Sequence, residues 1–438
     1  MKIYAFLPAK GHSERVTSKN NQILAGEKLY IRGLKNLLKC KNIDRVFLDT
    51  DSISMHNETM YLDCDHMLRD EKYANNLTDG HQLFMNEVYN YDDADIYVQY
   101  LCTSPFIRPS TIDKCIQYLI DHPQNDSVIF MKREKCYFWE NNQPSYNINK
   151  IPNSKDLPYT VSESMGLYII RKEAALSLKR RYGISPAFIY GDPIEYIDIN
   201  SEEELELANI IAEGIKSKEI YKYNLLKRFI SSASLSDLID DIENEKDIIC
   251  GGVIPGMNCN IPGTTLFGRA KTLSLRPLAE GEDFRGIYSA LESYNFISQN
   301  DIILVENKTP QFAYFGDLNT RLAIRSGAAG AIINSATRDI DRTRVLGFPV
   351  YSLSLNAQDV RRRATVESIN LPICINNVVI CPNDLVFADS DAIVIIKEKY
   401  IDIIINMIIE KISTENNISN DIIKGIILPE IVNKHGEF

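Results

Sequence analysis

Ile3-Tyr-Ala-Phe-Leu7 runs directly into Pro8-Ala-Lys-Gly-His-Ser-Glu-Arg-Val-Thr-Ser-Lys-Asn20. A short apolar run ends in a loop that carries a glycine, hydroxyls and the cations Lys10, Arg15 and Lys19. Such a run reads as a buried strand. In an open α/β sheet, the loop leaving the first strand is where ligands bind. The same texture continues outward. Leu29 to Leu38 has helical spacing of apolar residues, while Arg45-Val-Phe-Leu-Asp49, Asp95-Ile-Tyr-Val-Gln99, Ser127-Val-Ile-Phe-Met131 and Gly166-Leu-Tyr-Ile-Ile170 read as strands. Strands separated by helices predict a mostly parallel sheet covered on both faces. Glu202 to Lys216 reads as an amphipathic helix whose acidic first turn suits the positive end of the helix dipole.

Beyond about residue 222 the chain is charged and helix-prone, and Ser232 to Glu243 predicts a capped helix opening a second domain. From Asp247 the texture changes, with Gly251, Gly252, Gly263, Gly268, Gly281 and Gly286 set between short apolar runs. Ile302 to Val305, Gly330 to Ile333, Val378 to Ile380 and Ala392 to Ile396 read as strands. Leu322-Ala-Ile-Arg-Ser-Gly-Ala-Ala-Gly-Ala-Ile-Ile-Asn334 reads as a helix end, a glycine turn and a buried strand. Tyr400 to Phe438 reads as two short helices broken at Lys424-Gly425. The expected domains are residues 1–222 and 223–438, both α/β.

Composition narrows the function classes. The 438 residues suffice for two or three domains with full cores. A net charge of -11 argues against a dedicated nucleic-acid binder. The apolar opening is too short for a signal peptide. The late run Tyr400 to Ile409, interrupted by Asp402 and Asn406, is far below the ~20 residues that span a bilayer. Nine cysteines with no CxxC pair fit reduced thiols. The expectation is a cytoplasmic protein acting on small molecules, with no membrane and no nucleic-acid partner.

The front loop has a chemical reading. Gly11 lets backbone approach phosphate closely, and Lys10, Arg15 and Lys19 can offset triphosphate charge. It is not a Walker loop, since the GxxxxGK[ST] spacing is absent. Residue types alone leave a solvated basic turn equally open. The wider pattern resembles the cytidylyltransferases that activate acidic sugars, the acylneuraminate and 3-deoxy-manno-octulosonate activating enzymes. Their opening, (I/L)PA(R/K)xxSxRxxxKN, matches Leu7-Pro-Ala-Lys-Gly-His-Ser-Glu-Arg15 and Lys19-Asn20. Asp49-Thr-Asp51, Arg69, Thr103-Ser-Pro105 with Arg108, and Ile197-Asp-Ile-Asn-Ser201 match later motifs. The resemblance covers about residues 1 to 215 and implies a Rossmann-like nucleotidyltransferase fold. It implies that Leu7, Ala9, Lys10, Gly11, Ser13, Lys19, Asn20 and Arg69 bind CTP, with Lys19 catalytic. Gln99, Thr103, Ser104 and Arg108 would line the sugar-acid side, and Asp198 and Asn200 would hold Mg²⁺ or Mn²⁺. The family carries Asp-x-Asp where this chain has Asp198-Ile-Asn200, which removes one negative charge from the metal side. Its loop arginine is Lys10 here, which keeps the charge but loses bidentate phosphate geometry.

The back half carries a second constellation. Asp317 and Arg338 are separated by twenty residues, and Asp339 follows directly. Arg338 can pair with a carboxylate or enolate oxygen, Asp339 can hold a hard cation, and Asp317 can steer a proton through water. Residue types alone favour an Asp helix cap beside a solvated Arg–Asp pair. The surrounding sequence resembles the class II pyruvate aldolases of the 4-hydroxy-4-methyl-2-oxoglutarate type and the regulator-of-ribonuclease-E-like proteins. The matching segments include Leu266-Phe-Gly-Arg-Ala-Lys-Thr272, Gly316-Asp-Leu318, Gly327-Ala-Ala-Gly330, Thr337-Arg-Asp-Ile-Asp341, Gly347-Phe-Pro-Val-Tyr351 and Pro382 to Asp389. The resemblance covers about residues 226 to 438. It implies a swivelling-type α/β domain that assembles as trimers or hexamers. It also implies that Gly316, Leu318, Asn319 and Arg338 bind the pyruvyl group, that Asp317 and Arg338 are catalytic, and that Asp339 binds metal. Three positions set this chain apart or map weakly. Arg342 stands where the aldolases place an acid, Asp391-Ala392 where they have Asp-Gly, and tail residue Glu415 resembles a family glutamate that reaches a neighbouring subunit.

Two halves of this kind predict a bifunctional enzyme of acidic-sugar metabolism. One would transfer CMP from CTP to a 2-keto-3-deoxy sugar acid of the nonulosonic or octulosonic type. The other would perform metal-dependent aldol chemistry on pyruvate or a pyruvyl compound. The alternatives are a back domain that only oligomerises or regulates the transferase, and a front domain that activates a phosphonate or sugar phosphate.

Overall fold

The chain builds two large sheets, described by a computed structural model over residues 1–11, 19–75 and 77–436, with the side chains at 71, 413–416, 419 and 420 outside the description. Contacts divide it into two units, Met1–Ile210 and Ile211–Phe438. The helix Glu202–Leu226 contains that division as well as the 222/223 boundary expected from sequence.

The N-terminal sheet has seven strands. Their spatial order is Pro186–Tyr190, Ser127–Glu134, Thr160–Arg171, Ile96–Tyr100, Ile3–Ala9, Arg45–Thr50, Asp65–Leu68. Only Thr160–Arg171 runs antiparallel to its neighbours. The strands read from sequence are all present. They are apolar on both sides because both faces are covered: Ala5, Phe6 and Leu7 are each 0% exposed. The helix Leu29–Leu38 buries Leu29, Tyr30, Leu34 and Leu37, and the helix Gly80–Asn90 packs Phe84 and Val88 against Phe6, Phe47 and Tyr97. Each such fully buried side chain contributes about 1.5–3 kcal/mol. Order along the chain runs outward from Ile3–Ala9 to Arg45–Thr50 and Asp65–Leu68, then crosses to Ile96–Tyr100 on the other side. That reversal falls at the carboxyl ends of Ile3–Ala9 and Ile96–Tyr100, the crevice position where open α/β sheets take ligands.

The C-terminal sheet has nine strands. Leu266–Pro277, Ile302–Asn307, Gly330–Thr337 and Val350–Leu355 are parallel, and antiparallel strands flank them. Ser231 caps the helix Ser232–Lys246 by accepting from the Ser234 amide at 3.1 Å. That helix and the tail helix Ile401–Ile423 cover one face, packing Leu235, Ile239, Ile404 and Ile408 on Phe267 and Phe387. Helix Asp317–Arg325 ends at Gly327 (φ +90°), where Gly327 N donates to Ile324 O and Ala328 N to Ala323 O, and the strand Gly330–Thr337 follows. Only a residue without Cβ takes that left-handed turn cheaply. The tail departs from expectation. Its first helix is 23 residues rather than short, because Ile401, Ile404, Ile405 and Ile408 face the sheet continuously across Asp402 and Asn406. Among the described residues, no helix is long and apolar enough to cross a membrane.

Candidate functional sites

The N-terminal crevice is built from three chain segments. Asn20 Nδ2 donates to Lys10 O at 2.9 Å and Asn20 Oδ1 accepts from Cys102 Sγ at 3.2 Å, so the first loop is tied to the end of Ile96–Tyr100. Lys19 Nζ donates to Asn200 Oδ1 at 2.9 Å, Asn200 Nδ2 donates to Asp198 Oδ2 at 2.6 Å, and Ser104 Oγ donates to Asp198 Oδ1 at 3.2 Å. Thr103 O accepts from Ile199 N at 2.8 Å, which fixes the Thr103–Ser104 turn against the acidic segment. Gly166 is needed there, since a Cβ would lie 2.4 Å from Ser104 Oγ. Lys19, Asn20, Thr103, Ser104, Asp198 and Asn200 are thus brought together. Burial pushes the Cys102 thiol up to about 12, so this cysteine is a neutral packing group rather than a nucleophile.

Other expected nucleotide and sugar residues are placed differently. Leu7 and Ala9 are each 0% exposed, buried within the sheet. The Gly11 amide donates to Asp51 Oδ1 at 2.7 Å. Ser13 lies outside the described residues. Arg108 is exposed and pairs with Asp192 at 2.6 Å, while its amide donates to Glu195 Oε1 at 3.0 Å. Arg69 and Gln99 are buried and paired with other side chains. Arg69 is 6% exposed and grips Asp49 through Nε–Oδ1 and Nη2–Oδ2 bonds, both 2.9 Å. Gln99 is 1% exposed and donates Nε2 to Glu87 Oε2 at 2.8 Å. Burial and the neighbouring Asp49 carboxylate raise the Glu87 carboxyl well above the usual range. Asp51, Glu87 and the Asp192–Glu195 capping box were not expected as site residues. The D-x-x-E spacing of the last pair is a signature that sequence reading could have used.

In the C-terminal unit, Phe315 pairs with Thr337, with Arg338 N donating to Phe315 O at 3.0 Å. This lays Gly316-Asp317 alongside Arg338-Asp339. Asp317 N donates to Asp339 Oδ2 at 3.2 Å. A Cβ on Gly316 would fall 2.7 Å from Asp339 Oδ2, so a larger residue there would displace that carboxylate. Asp339 itself sits at φ +57° and starts the short helix Ile340–Val345. Arg338 Nη2 lies 2.8 Å from Asp359 Oδ2, an acid that was not anticipated. Asp317 accepts from Arg321 Nε at 3.0 Å and lies 3.9 Å from Arg342 Nη1. Asn319 turns inward and donates Nδ2 to Tyr314 O at 2.7 Å, whereas Leu318 is 75% exposed. Thr337, Arg338, Asp339, Ile340, Leu355 and Asn356 line an open cleft of about 460 Å³. No group of three His, Cys, Asp or Glu side chains that could hold a metal occurs among the described residues.

Comparison with known proteins finds one family match in each half. A cytidylyltransferase family model matches residues 4–220, and an aldolase/RraA-like family model matches residues 232–395. Protein DlpA of Legionella pneumophila is 26% identical over 211 residues, 47% of this chain and 33% of that protein, so the chain spans about a third of that relative's length. A putative 4-hydroxy-4-methyl-2-oxoglutarate aldolase of Halalkalibacterium halodurans is 26% identical over 170 residues, 39% of this chain and 73% of its own. A CMP:2-keto-3-deoxy-manno-octonic acid synthetase structure complexed with CTP aligns at 15% identity and TM-score 0.37, covering 49% of this chain and 100% of its own.

Proposed function

We propose, for a chain whose residues 4–220 are a cytidylyltransferase domain and whose residues 232–395 are an aldolase/RraA-like domain, that the first domain transfers CMP from CTP to a 2-keto-3-deoxy sugar acid. The carrying observation is the contact chain Lys19–Asn200–Asp198–Ser104 at the point where the strand order reverses. In this reading the anomeric hydroxyl attacks the α-phosphorus and pyrophosphate leaves. Catalysis is then mainly positioning and neutralisation of charge, with Lys10 and Lys19 beside the phosphates. Thr103, Ser104 and Arg108 face the acceptor. Asp198 would hold Mg²⁺ or Mn²⁺ through its single carboxylate, and such an ion would neutralise phosphate charge. Asn200 turns its carbonyl oxygen to Lys19 and its amide to Asp198, which makes it a bridge between cation and carboxylate. Pyrophosphate release from CTP across a panel of octulosonic and nonulosonic acids tests this reading. Release that survives both Lys19→Ala and Asp198→Asn would refute the residue assignment.

For the second domain the reading is a 2-keto-acid site. Arg338 would take the pyruvyl oxygens, Gly316 to Asn319 would contribute main-chain groups, Asp317 would hold a proton-carrying water, and Asp339 would hold the cation through its single carboxylate. The domain would assemble the chain into trimers or hexamers. One observation favours a second reading, an oligomerising or regulatory module without turnover. Asp317, the carboxylate meant to handle a proton, stands between the guanidiniums of Arg321 and Arg342. Metal-dependent oxaloacetate decarboxylation separates the two. The enzymatic reading requires it in the wild type and its loss in Arg338→Ala and Asp339→Ala.

A further inference from the structure

Beneath the N-terminal crevice lies a polar cluster that the proposed chemistry leaves unused. Asp49 is 0% exposed, Glu87 0%, Gln99 1% and Arg69 6%. The cluster holds two carboxyl groups and one cation. Both Asp49 oxygens accept from Arg69, and Asp49 O accepts from Arg69 Nη2 at 2.8 Å. Glu87 Oε2 accepts from Gln99, but Glu87 Oε1, like Gln99 Oε1, is buried with no partner among the described residues. As a carboxylate, Glu87 would leave one acceptor unsatisfied and add an uncompensated buried charge, both strongly unfavourable. As a carboxylic acid it becomes a donor, and Asp49 is the acceptor-only group beside it. One proton then satisfies the Glu87 oxygen and brings the cluster to neutrality, with Gln99 Oε1 still unpaired. The groups facing Glu87 are Asp49 and Arg69, with Gln99 completing the set.

The cluster connects to the crevice through the main chain. Asp49 is the penultimate residue of the strand Arg45–Thr50, and Asp51 follows that strand directly. Arg69 N donates to Thr50 O at 2.7 Å, and Asp51 Oδ1 accepts from the amide of Gly11 in the first loop. We propose that Glu87 is a positioning residue of this site: held as a neutral acid that donates to Asp49, it keeps the Asp49–Arg69 pair intact and thereby fixes Asp51 and the Gly11 loop. This goes beyond the transferase reading, which assigns Glu87 no part. Ionisation of Glu87 would set two carboxylates against one guanidinium and loosen the strand end that carries Asp51.

Two measurements on the full chain test it. The first is infrared spectroscopy of the wild type at pH 7, where a protonated-carboxyl C=O band is expected. The band should be missing from Glu87→Gln, or, if that variant does not fold, from Asp49→Asn, which lets Glu87 ionise. A wild type without the band overturns the proposal. The second is CTP affinity by calorimetry from pH 6 to 9.5. Wild-type affinity should fall with rising pH by up to about tenfold per unit once Glu87 ionises. Glu87→Gln should match the wild type at pH 6 and hold that affinity throughout. Parallel pH profiles for the two proteins would overturn the positioning role. If neither protein binds CTP at any pH, the transferase reading and the positioning role fail together, while the infrared band still decides the proton.

Discussion

Arg338 lies 2.8 Å from Asp359 through Nη2 and Oδ2, and 3.8 Å from Asp339 through Nε. The two acids hold the guanidinium from different sides, so its direction into the cleft is set before any ligand arrives. Asp359 belongs to the loop after Val350–Leu355, whose main chain pairs with Ala313. The pair is partly exposed, at 39% and 31%, so its stability contribution is screened and small. Its effect should appear in binding. Asp359→Asn is expected to leave the melting temperature nearly unchanged and to weaken 2-keto-acid binding by about fivefold to tenfold, measured by calorimetry with pyruvate.

Gly316 gives a steric prediction. Gly316→Ala places a methyl group 2.7 Å from Asp339 Oδ2 and 3.1 Å from Arg338 Cγ. Displacing that carboxylate should cost about 1–3 kcal/mol of stability and abolish any metal-dependent turnover of oxaloacetate. Denaturant titration and a decarboxylation assay check the two parts separately.

Arg342 gives a charge prediction. Arg342→Asp replaces a guanidinium near Asp317 by an acid, on the same helix as Asp339 and three residues beyond it. The variant should raise Mg²⁺ affinity in the C-terminal domain and increase oxaloacetate decarboxylation over the wild type. No gain in either quantity would favour the module reading of this domain.

Asn200 is the corresponding position in the N-terminal domain. Asn200→Asp restores a second carboxylate beside Asp198 while Lys19 keeps a partner. The Mg²⁺ concentration for half-maximal pyrophosphate release should fall, by about threefold to tenfold, with little change in CTP requirement.

Much of this fold is legible in the chain because parallel strands buried on both faces must be apolar throughout, as Ile3–Ala9 and Arg45–Thr50 are. Strands that carry internal polar partners were harder to see. Leu266–Pro277 includes Lys271, only 4% exposed, whose charge is met by Asn383 and Asp301. Such a residue looks like surface until its distant partners are known. Arg69 and Gln99 are buried polar residues of the same kind. A polar side chain at a strand end reads as a ligand group, and nothing local to Gly80–Asn90 announces that Glu87 turns inward to meet it. Asp359 escaped for a related cause, since its partner Arg338 lies on a different element. By contrast, Gly316-Asp317 and Arg338-Asp339 stand out in the sequence through the family resemblance, and the structure lays them side by side through the Phe315–Thr337 pairing.

The central claim is that the N-terminal domain joins CMP to a sugar acid. Incubation of the full chain with CTP, Mg²⁺ and a panel of 2-keto-3-deoxy sugar acids, followed by mass spectrometry of the nucleotide products, tests it most directly. The account predicts a product with the mass of one acid plus CMP less water, formed in step with pyrophosphate and absent in Asp198→Asn. Formation of such a product only from a phosphonate or sugar phosphate, or of none from any acid while CTP binds normally, would contradict it.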